Sequence, residues 1–227
     1  MKAKFGAVIV GGSGKIGGHV ITKNRAGYAM RTKVTPSNPN TQYQANVRSR
    51  LVAISQAWSS LTEAQRLAWN NAVDAFKKTN VFGDLVTPSG FNLYQRLNNN
   101  LVTIGIAVID TPPLPEAVGA MTSMSLAAVN ATGAITLTFA PAIGAGDTFK
   151  VFATTSINPG KSFVKNQFRL IGTIDSTDAS PLDIKTMYDA KFGAVGAAGQ
   201  KIFVQVVGVN KTTGQEGIEG QAFAFIS

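Results

Sequence analysis

The sequence predicts an α+β chain in three parts: an extended N-terminal arm carrying a hairpin, a small three-helix module, and a C-terminal antiparallel β-sandwich. Three observations predict it. The apolar period is two along the first stretch, lengthens to that of a helix from Thr41, and returns to two after the last helix. Prolines gather at both changes, at Pro36 and Pro39 and again at Pro112, Pro113 and Pro115. Short apolar runs separated by glycine-rich turns fill the remainder. The expected organisation is a basic extended arm over 1–40, a helical module over 41–109, a proline-rich linker over 110–116 and a β-sandwich domain over 117–227.

The arm begins with an apolar run, Phe5–Val10, and a glycine cluster, Gly11-Gly-Ser-Gly14. Apolar-polar stretches then flank Asn24-Arg-Ala-Gly27, where a glycine after a short polar loop signals a hairpin. Pro36-Ser-Asn-Pro-Asn40 stops regular structure, because proline removes a backbone donor and fixes φ. From Thr41, Val47, Leu51, Ile54, Trp58 and Leu61 recur at spacings of 4, 3, 4 and 3, one face of a helix. Thr62-Glu-Ala-Gln65 matches the capping box and starts a second helix, expected to reach about Lys77 with Trp69, Val73 and Phe76 inward. Thr87-Pro88 predicts a third, with Thr87 as N-cap and Phe91, Tyr94, Leu97 and Leu101 on one face.

Asp110-Thr-Pro-Pro-Leu-Pro115 reads as a stiff extended connector. Strands are expected at Thr122–Val129, Ala134–Ala140, Thr148–Thr155, Phe168–Ile174, Lys201–Val209 and Gly220–Ile226. Turns fall at Asn130–Gly133, Gly144–Gly146 and Asn210–Gly214, and one crossing helix over Pro181–Phe192. That spacing suggests a β-sandwich, similar in pattern to immunoglobulin-like or fibronectin-like modules.

Composition removes several kinds of chemistry. There is no Cys and a single His, His19, so neither thiolate catalysis nor an imidazole-rich metal site is available. Charged residues are 15% of the chain, against roughly 25% in ordinary domains. The net charge of +9 is concentrated at one end. Lys2, Lys4, Lys15, Lys23, Arg25, Arg31, Lys33, Arg48 and Arg50 precede the first acid, Glu63, and beyond it bases and acids balance. Such a front end seeks an anion: the acidic surface of another subunit, or nucleic acid. The apolar start is broken at Gly11 before a signal-peptide core forms, and the uncharged stretch Ala117–Gly146 is interrupted by Asn130, Gly133 and Pro141, so no membrane partner is expected.

Gly12-Ser-Gly14-Lys-Ile-Gly17 matches the dinucleotide pattern GxGxxG. A dinucleotide fold requires a helix directly after the glycines and an acid about twenty residues on. The following residues alternate as a strand and carry no acid, so an NAD(P)-dependent enzyme ranks third among the readings and no cofactor is expected. His19 has no local acid to orient it, and Asp175 with Asp178, and Glu216 with Glu219, sit in polar stretches where solvated loop acids are the default. No catalytic or metal residue is assigned. Asn130-Ala-Thr132 and Asn210-Lys-Thr212 fit a glycosylation pattern but read better as turns.

The ordered run Gly14-Lys-Ile-Gly-Gly18, Lys23-Asn-Arg-Ala-Gly27, Arg31-Thr-Lys-Val-Thr-Pro36, Asn38-Pro-Asn-Thr41, Arg48, Trp58, Leu61-Thr62, Gln65-Arg66 and Ala68-Trp69-Asn70 resembles a group of tailed-bacteriophage and prophage virion proteins. Ser89-Gly-Phe-Asn-Leu-Tyr94 and Asn98-Asn-Asn100 extend the likeness, which covers about residues 10–101. The resemblance implies a non-enzymatic structural component of a phage head, neck or tail, located in the virion and assembled in the host cytoplasm. Its partners would be other virion subunits in a homo-oligomeric ring or lattice. Nucleic-acid binding through the same nine cations is the alternative. If all nine met phosphates, log K against log salt would fall with a slope of about −8.

Overall fold

The computed structural model describes residues 2–4, 11–25, 27–35 and 37–227, with the backbone alone at 2 and 3. The apolar run 5–10, residue 26 of the hairpin loop and residue 36 lie outside the described residues. The chain divides into two compact units, Met1–Leu93 and Tyr94–Ser227. Its class is α+β, and the second unit is built on two packed antiparallel sheets.

The first unit opens with β1 (Lys2–Ala3), β2 (Gly14–Ile16), β3 (His19–Asn24) and β4 (Gly27–Thr32). They form one antiparallel sheet in the order β1-β4-β3-β2. The hairpin expected at Asn24–Gly27 is present, with Asn24 paired to Gly27. A second turn at Gly17–Gly18 joins β2 to β3, so the arm contains more sheet than its one hairpin signal announced. Residues 33–35 and 37–41 have no regular structure.

Helix α1 (Gln42–Ser60) is started by Thr41, whose hydroxyl accepts from Gln44 N while the Gln44 side chain returns to the Thr41 amide. Helix α2 (Glu63–Ala72) repeats the device with Thr62 and Gln65, as the sequence predicts. Such a box satisfies two orphan amides and contributes about 1 kcal/mol. The second helix stops earlier than expected. A 3-10 turn at Val73–Phe76 ends it, burying Val73 and Phe76, and the chain then forms a hairpin of β5 (Lys78–Thr79) and β6 (Leu85–Val86). No periodicity announced that hairpin. Trp69 is fully enclosed, and the half-buried Trp58 sets its ring edge against Phe91, centroids 5.6 Å apart.

Helix α3 (Gly90–Thr103) starts two residues later than Thr87 would place it. Ser89 is the cap: its hydroxyl accepts from Asn92 N at 3.2 Å and its carbonyl from Leu93 N at 2.9 Å. Gly90 is required there, because a Cβ would stand 2.3 Å from Asn70 Oδ1 and 2.9 Å from Asn70 N.

The unit boundary falls inside α3, at Leu93/Tyr94, rather than in the proline-rich stretch. Side-chain hydrogen bonds explain the difference. Asn98 brackets Ile109, accepting from its amide at 2.7 Å and donating to its carbonyl at 3.3 Å. Gln215 accepts from Glu116 N at 3.0 Å and donates to Leu114 O at 2.7 Å. Residues 110–116 are therefore strapped along the second unit instead of forming a free linker, and the helical module does not extend to residue 109 as a body of its own.

The second unit holds β7 (Ser123–Ala128), β8 (Ile135–Ala140), β9 (Asp147–Ala153), β10 (Arg169–Ile174), β11 (Leu182–Asp183), α4 (Lys185–Phe192), β12 (Lys201–Asn210) and β13 (Glu216–Phe225). One sheet runs β10-β9-β12-β13 and the other β11-β8-β7. Period-two alternation sends Ile135, Leu137 and Phe139 inward against Phe149, Val151, Ile202, Val204 and Val206. Each such side chain contributes about 1.5–3 kcal/mol on full burial. A parallel bridge from Ala128 to Ile226 ties the two sheets at one margin.

Two elements differ from expectation. Residues 181–184 are not helical: Leu182 and Asp183 pair with Leu137 and Thr136, Ser180 Oγ accepts from Phe139 N, and only then does α4 begin. Strand β13 starts at Glu216 instead of Gly220, with a register shift opposite Val207–Val209. Among the described residues, no helix is long and apolar enough to cross a membrane.

Candidate anion interface

The N-terminal sheet sorts its side chains by charge. Lys15, Val20 and Arg31 stand directly opposite one another on β2, β3 and β4, so they share one face. Lys33 follows Arg31 by two residues, and its amide donates to Gly18 O at 2.7 Å, fixing the departing chain beside the β2–β3 turn. The outcome is a shallow groove lined by Lys15, Val20, Arg31, Lys33, Val34 and Thr35. The alternate face carries Ile21, which is buried, and the half-buried Tyr28 and Met30. Two strand spacings separate Lys15 from Arg31, about 10 Å, close to the Debye length of ~8–10 Å. The cations therefore contribute to one field. Their strands contain no carboxylate.

The remaining cations that the sequence groups with these are placed elsewhere. Lys2 lies opposite Ala29, and its side chain is outside the described residues. Lys4 pairs with Asp84 at 3.0 Å and lies over the Phe82 ring. Asp84 is held below the usual carboxylate range first by the Asn80 amide and then by Lys4. Lys23 sits over Tyr28, 5.4 Å from the ring centroid. Arg25 is exposed in the hairpin loop. Arg48 donates to Asn38 Oδ1 at 2.9 Å and Asn40 Oδ1 at 3.4 Å, and Arg50 is half-buried on α1. Of the nine candidates, Lys15, Arg31 and Lys33 converge on a groove. The alternation Arg31-x-Lys33 was a legible signal. The counter-charge supplied to Lys4 by Asp84, eighty residues away, was not.

The glycine motif has a plain structural use. Gly14 opens β2 and Gly17, at φ +53, makes the turn into β3, so a strand and not a helix follows the glycines. His19 pairs with Ile16 and Thr32 and is exposed. Asp175 Oδ1 accepts from the Thr177 amide at 2.9 Å and hydroxyl at 2.7 Å, while Asp178 Oδ2 accepts from Asp175 N at 2.9 Å. This is a self-bonded turn, and the Thr177 hydroxyl, followed by its amide, holds the Asp175 carboxyl below its ordinary range. Glu216 and Glu219 lie on strand β13, not in a loop, bonded to Lys150 and Gln205 respectively. Asn210 Oδ1 accepts from the amides of Thr212 and Thr213, at 2.9 and 3.0 Å, which makes the Asn210-Lys-Thr212 sequence a turn device. Among the described residues, no group of three His, Asp or Glu side chains is placed to hold a metal ion.

One polar cluster escaped the sequence reading. Lys150 is 6% exposed on β9, yet its ammonium meets Glu216 and, at 3.3 Å, Asn100 Oδ1. Asn100 Nδ2 in turn donates to Gly214 O at 2.8 Å. The cluster docks the C-terminal half of α3 on the sheet. Arg96 beside it is half desolvated, which lowers its pKa, while Glu216 opposes that shift.

No family model matches the chain, and no curated protein matches it. A solved structure described as an Fn3-like protein from Clostridium thermocellum is similar over 49% of this chain and 96% of its own, at 20% identity and a TM-score of 0.33.

Proposed function

We propose that the chain is a non-enzymatic structural subunit of a bacteriophage virion, in the head, neck or tail, that assembles through its cationic N-terminal sheet. The observation that carries this reading is the groove of Lys15, Arg31 and Lys33 on acid-free strands, in the same stretch whose motif order resembles virion proteins. Uncompensated cations on one sheet face are stabilised by an anionic counter-surface, and a subunit lattice supplies one at every copy. The balanced charge beyond Glu63 suits the sandwich to lateral contacts. Limited trypsin digestion tests the reading. Cleavage after Arg31 and Lys33 is expected in the isolated protein and protection in assembled particles. Equal cleavage in both states overturns it.

The same three cations favour nucleic acid as the second reading. Contact of all three with phosphates predicts a log K against log salt slope of about −3. A flat salt dependence, or no binding at low salt, removes it.

A further inference from the structure

Among the described residues Lys150 is the one buried lysine, and its ammonium rests against a side-chain amide as well as a carboxylate. Lys150 and Asn100 are each 6% exposed. Lys150 Nζ donates to Glu216 Oε1 and, at 3.3 Å, to Asn100 Oδ1. The amide carbon Cγ lies one C=O bond of about 1.23 Å beyond Oδ1, which puts it within about 4.5 Å of Nζ. Donor and acceptor fix which way the amide points: Oδ1 meets the ammonium, and Nδ2 donates to Gly214 O at 2.8 Å. Water reaches Glu216, whose side chain is 37% exposed, and is largely kept from the other two. A primary amine, a primary amide and a carboxyl group are thus held together, the two reactants and the proton carrier for aminolysis of the amide.

We infer that Lys150 and Asn100 join after folding in an intramolecular isopeptide bond, with loss of ammonia and with Glu216 carrying the protons. The hydrogen-bonded cluster is the state from which the bond forms. Glu216 takes one proton from the ammonium along their hydrogen bond, leaving a lone pair on Nζ. Nζ attacks Asn100 Cγ, the new Nζ–Cγ bond forms, and the C=O electron pair moves onto Oδ1. A second proton passes from Nζ to Nδ2. The pair on Oδ1 returns, the Cγ–Nδ2 bond breaks with its electrons going to nitrogen, and Glu216 gives its proton to the departing ammonia. Ammonium leaves, Glu216 ends as a carboxylate, and nothing is oxidised or reduced. Gly214 O, already an acceptor from Nδ2, stabilises the positive charge that develops there. Holding amine and amide in contact supplies an effective concentration of about 10⁵–10⁸ M, and burial keeps water from competing for Cγ. The product ties α3 to β9 covalently where the helix docks on the sheet. All three groups belong to the second unit, so the inference stands apart from the cationic groove and either can fail alone.

Mass spectrometry of the full-length chain under denaturing conditions tests it, after incubation of the purified protein to constant mass. The chain is expected to be about 17 Da lighter than its sequence, one ammonia per molecule. No Lys or Arg lies between Arg96 and Lys150, whereas Glu116 does. Digestion with trypsin and a glutamate-specific protease should therefore leave peptide 97–116, which holds Asn100, bonded to the peptide that holds Lys150, uncut after that lysine. Glu216→Gln keeps an acceptor for Nζ but cannot carry the proton, and should slow the mass loss by at least ~100-fold with circular dichroism unchanged. Lys150→Arg retains the charge without the nucleophilic amine and should hold its full mass. An unchanged mass in the wild-type chain overturns the inference. So does a loss of ammonia in which the two peptides separate, which marks a succinimide at a single asparagine. Equal rates in the wild-type and Glu216→Gln chains overturn the role given to Glu216.

Discussion

Replacing Gly214 by alanine tests how the second unit is closed. Gly214 has φ +68, a left-handed conformation that costs an L-residue about 1–2 kcal/mol. It also faces the backbone of α3: an added Cβ would stand 2.4 Å from Leu97 O and 3.0 Å from Leu101 Cγ. Neither neighbour is the loose end of a side chain, so the helix must shift, at about 1–3 kcal/mol for overpacking. That shift also stretches the 2.8 Å bond from Asn100 to Gly214 O. The total expected loss is about 2–5 kcal/mol. Gly199→Ala is the control, since Gly199 has φ +83 with nothing within 4 Å of the added atom, and should lose only about 1–2 kcal/mol. Both tryptophans lie in the first unit, so their fluorescence is an internal reference, and hydrogen exchange at the β12 amides reads the second. Gly214→Ala is expected to lower β12 protection well beyond Gly199→Ala. If the two variants agree within about 0.5 kcal/mol, the turn does not bear on the helix and the reasoning fails.

Two further outcomes follow from local chemistry. Lys150→Met leaves Glu216 without its cation and Asn100 Oδ1 without a donor; because Glu216 is 37% exposed and water reaches it, the loss should be about 1–3 kcal/mol, and a Lys150→Met/Glu216→Leu pair should recover part of it in a double-mutant cycle, whereas strictly additive losses contradict the coupling. The Asp175 carboxyl should titrate below its ordinary 3.8 in carbon-13 NMR. Because its folded pKa is depressed, its contribution to stability is present above the unfolded value and is lost as pH falls through the folded one. Thr177→Val should move the midpoint part of the way back, since the amide bond remains, and an unchanged midpoint would show that the hydroxyl does not matter.

Much of the fold was legible because local chemistry and tertiary structure agree. Thr62 announced its helix through reciprocal bonds that close within four residues, and the start at Thr41 was legible from the change of period. Ile135-Thr-Leu-Thr-Phe139 announced β8 because one face of it is dry and the other wet. Elements went unread where the segment is too short to show a period or a distant partner decides. The β5–β6 hairpin is two residues on each side, too short for any period, and its turn is set by Asn80 and Asp84. Pro181 looked like a helix start, yet β8 captures Leu182 and Asp183 as a strand. Prolines at 112–115 signalled a linker, but Gln215 binds on either side of Pro115 from about a hundred residues away. The concentration of cations was legible, because the absence of acids before Glu63 is a property of the sequence itself. Which three cations converge depends on strand register, and that required Lys15, Val20 and Arg31 to be seen in one row.

The border at Leu93/Tyr94 bears on how this chain can be dissected. An excision beginning at the prolines would remove Leu97, Leu101 and Asn100 from the body they complete, uncovering the Asn210–Gly214 turn and leaving the Lys150 ammonium to Glu216 alone. The compact C-terminal unit begins at Tyr94 and carries the rest of α3 at its front. For recombination between related genes, a crossover in the proline codons would separate Asn100 from Gly214 and Lys150, whereas inheriting residues 94–227 as one cassette keeps these bonds together.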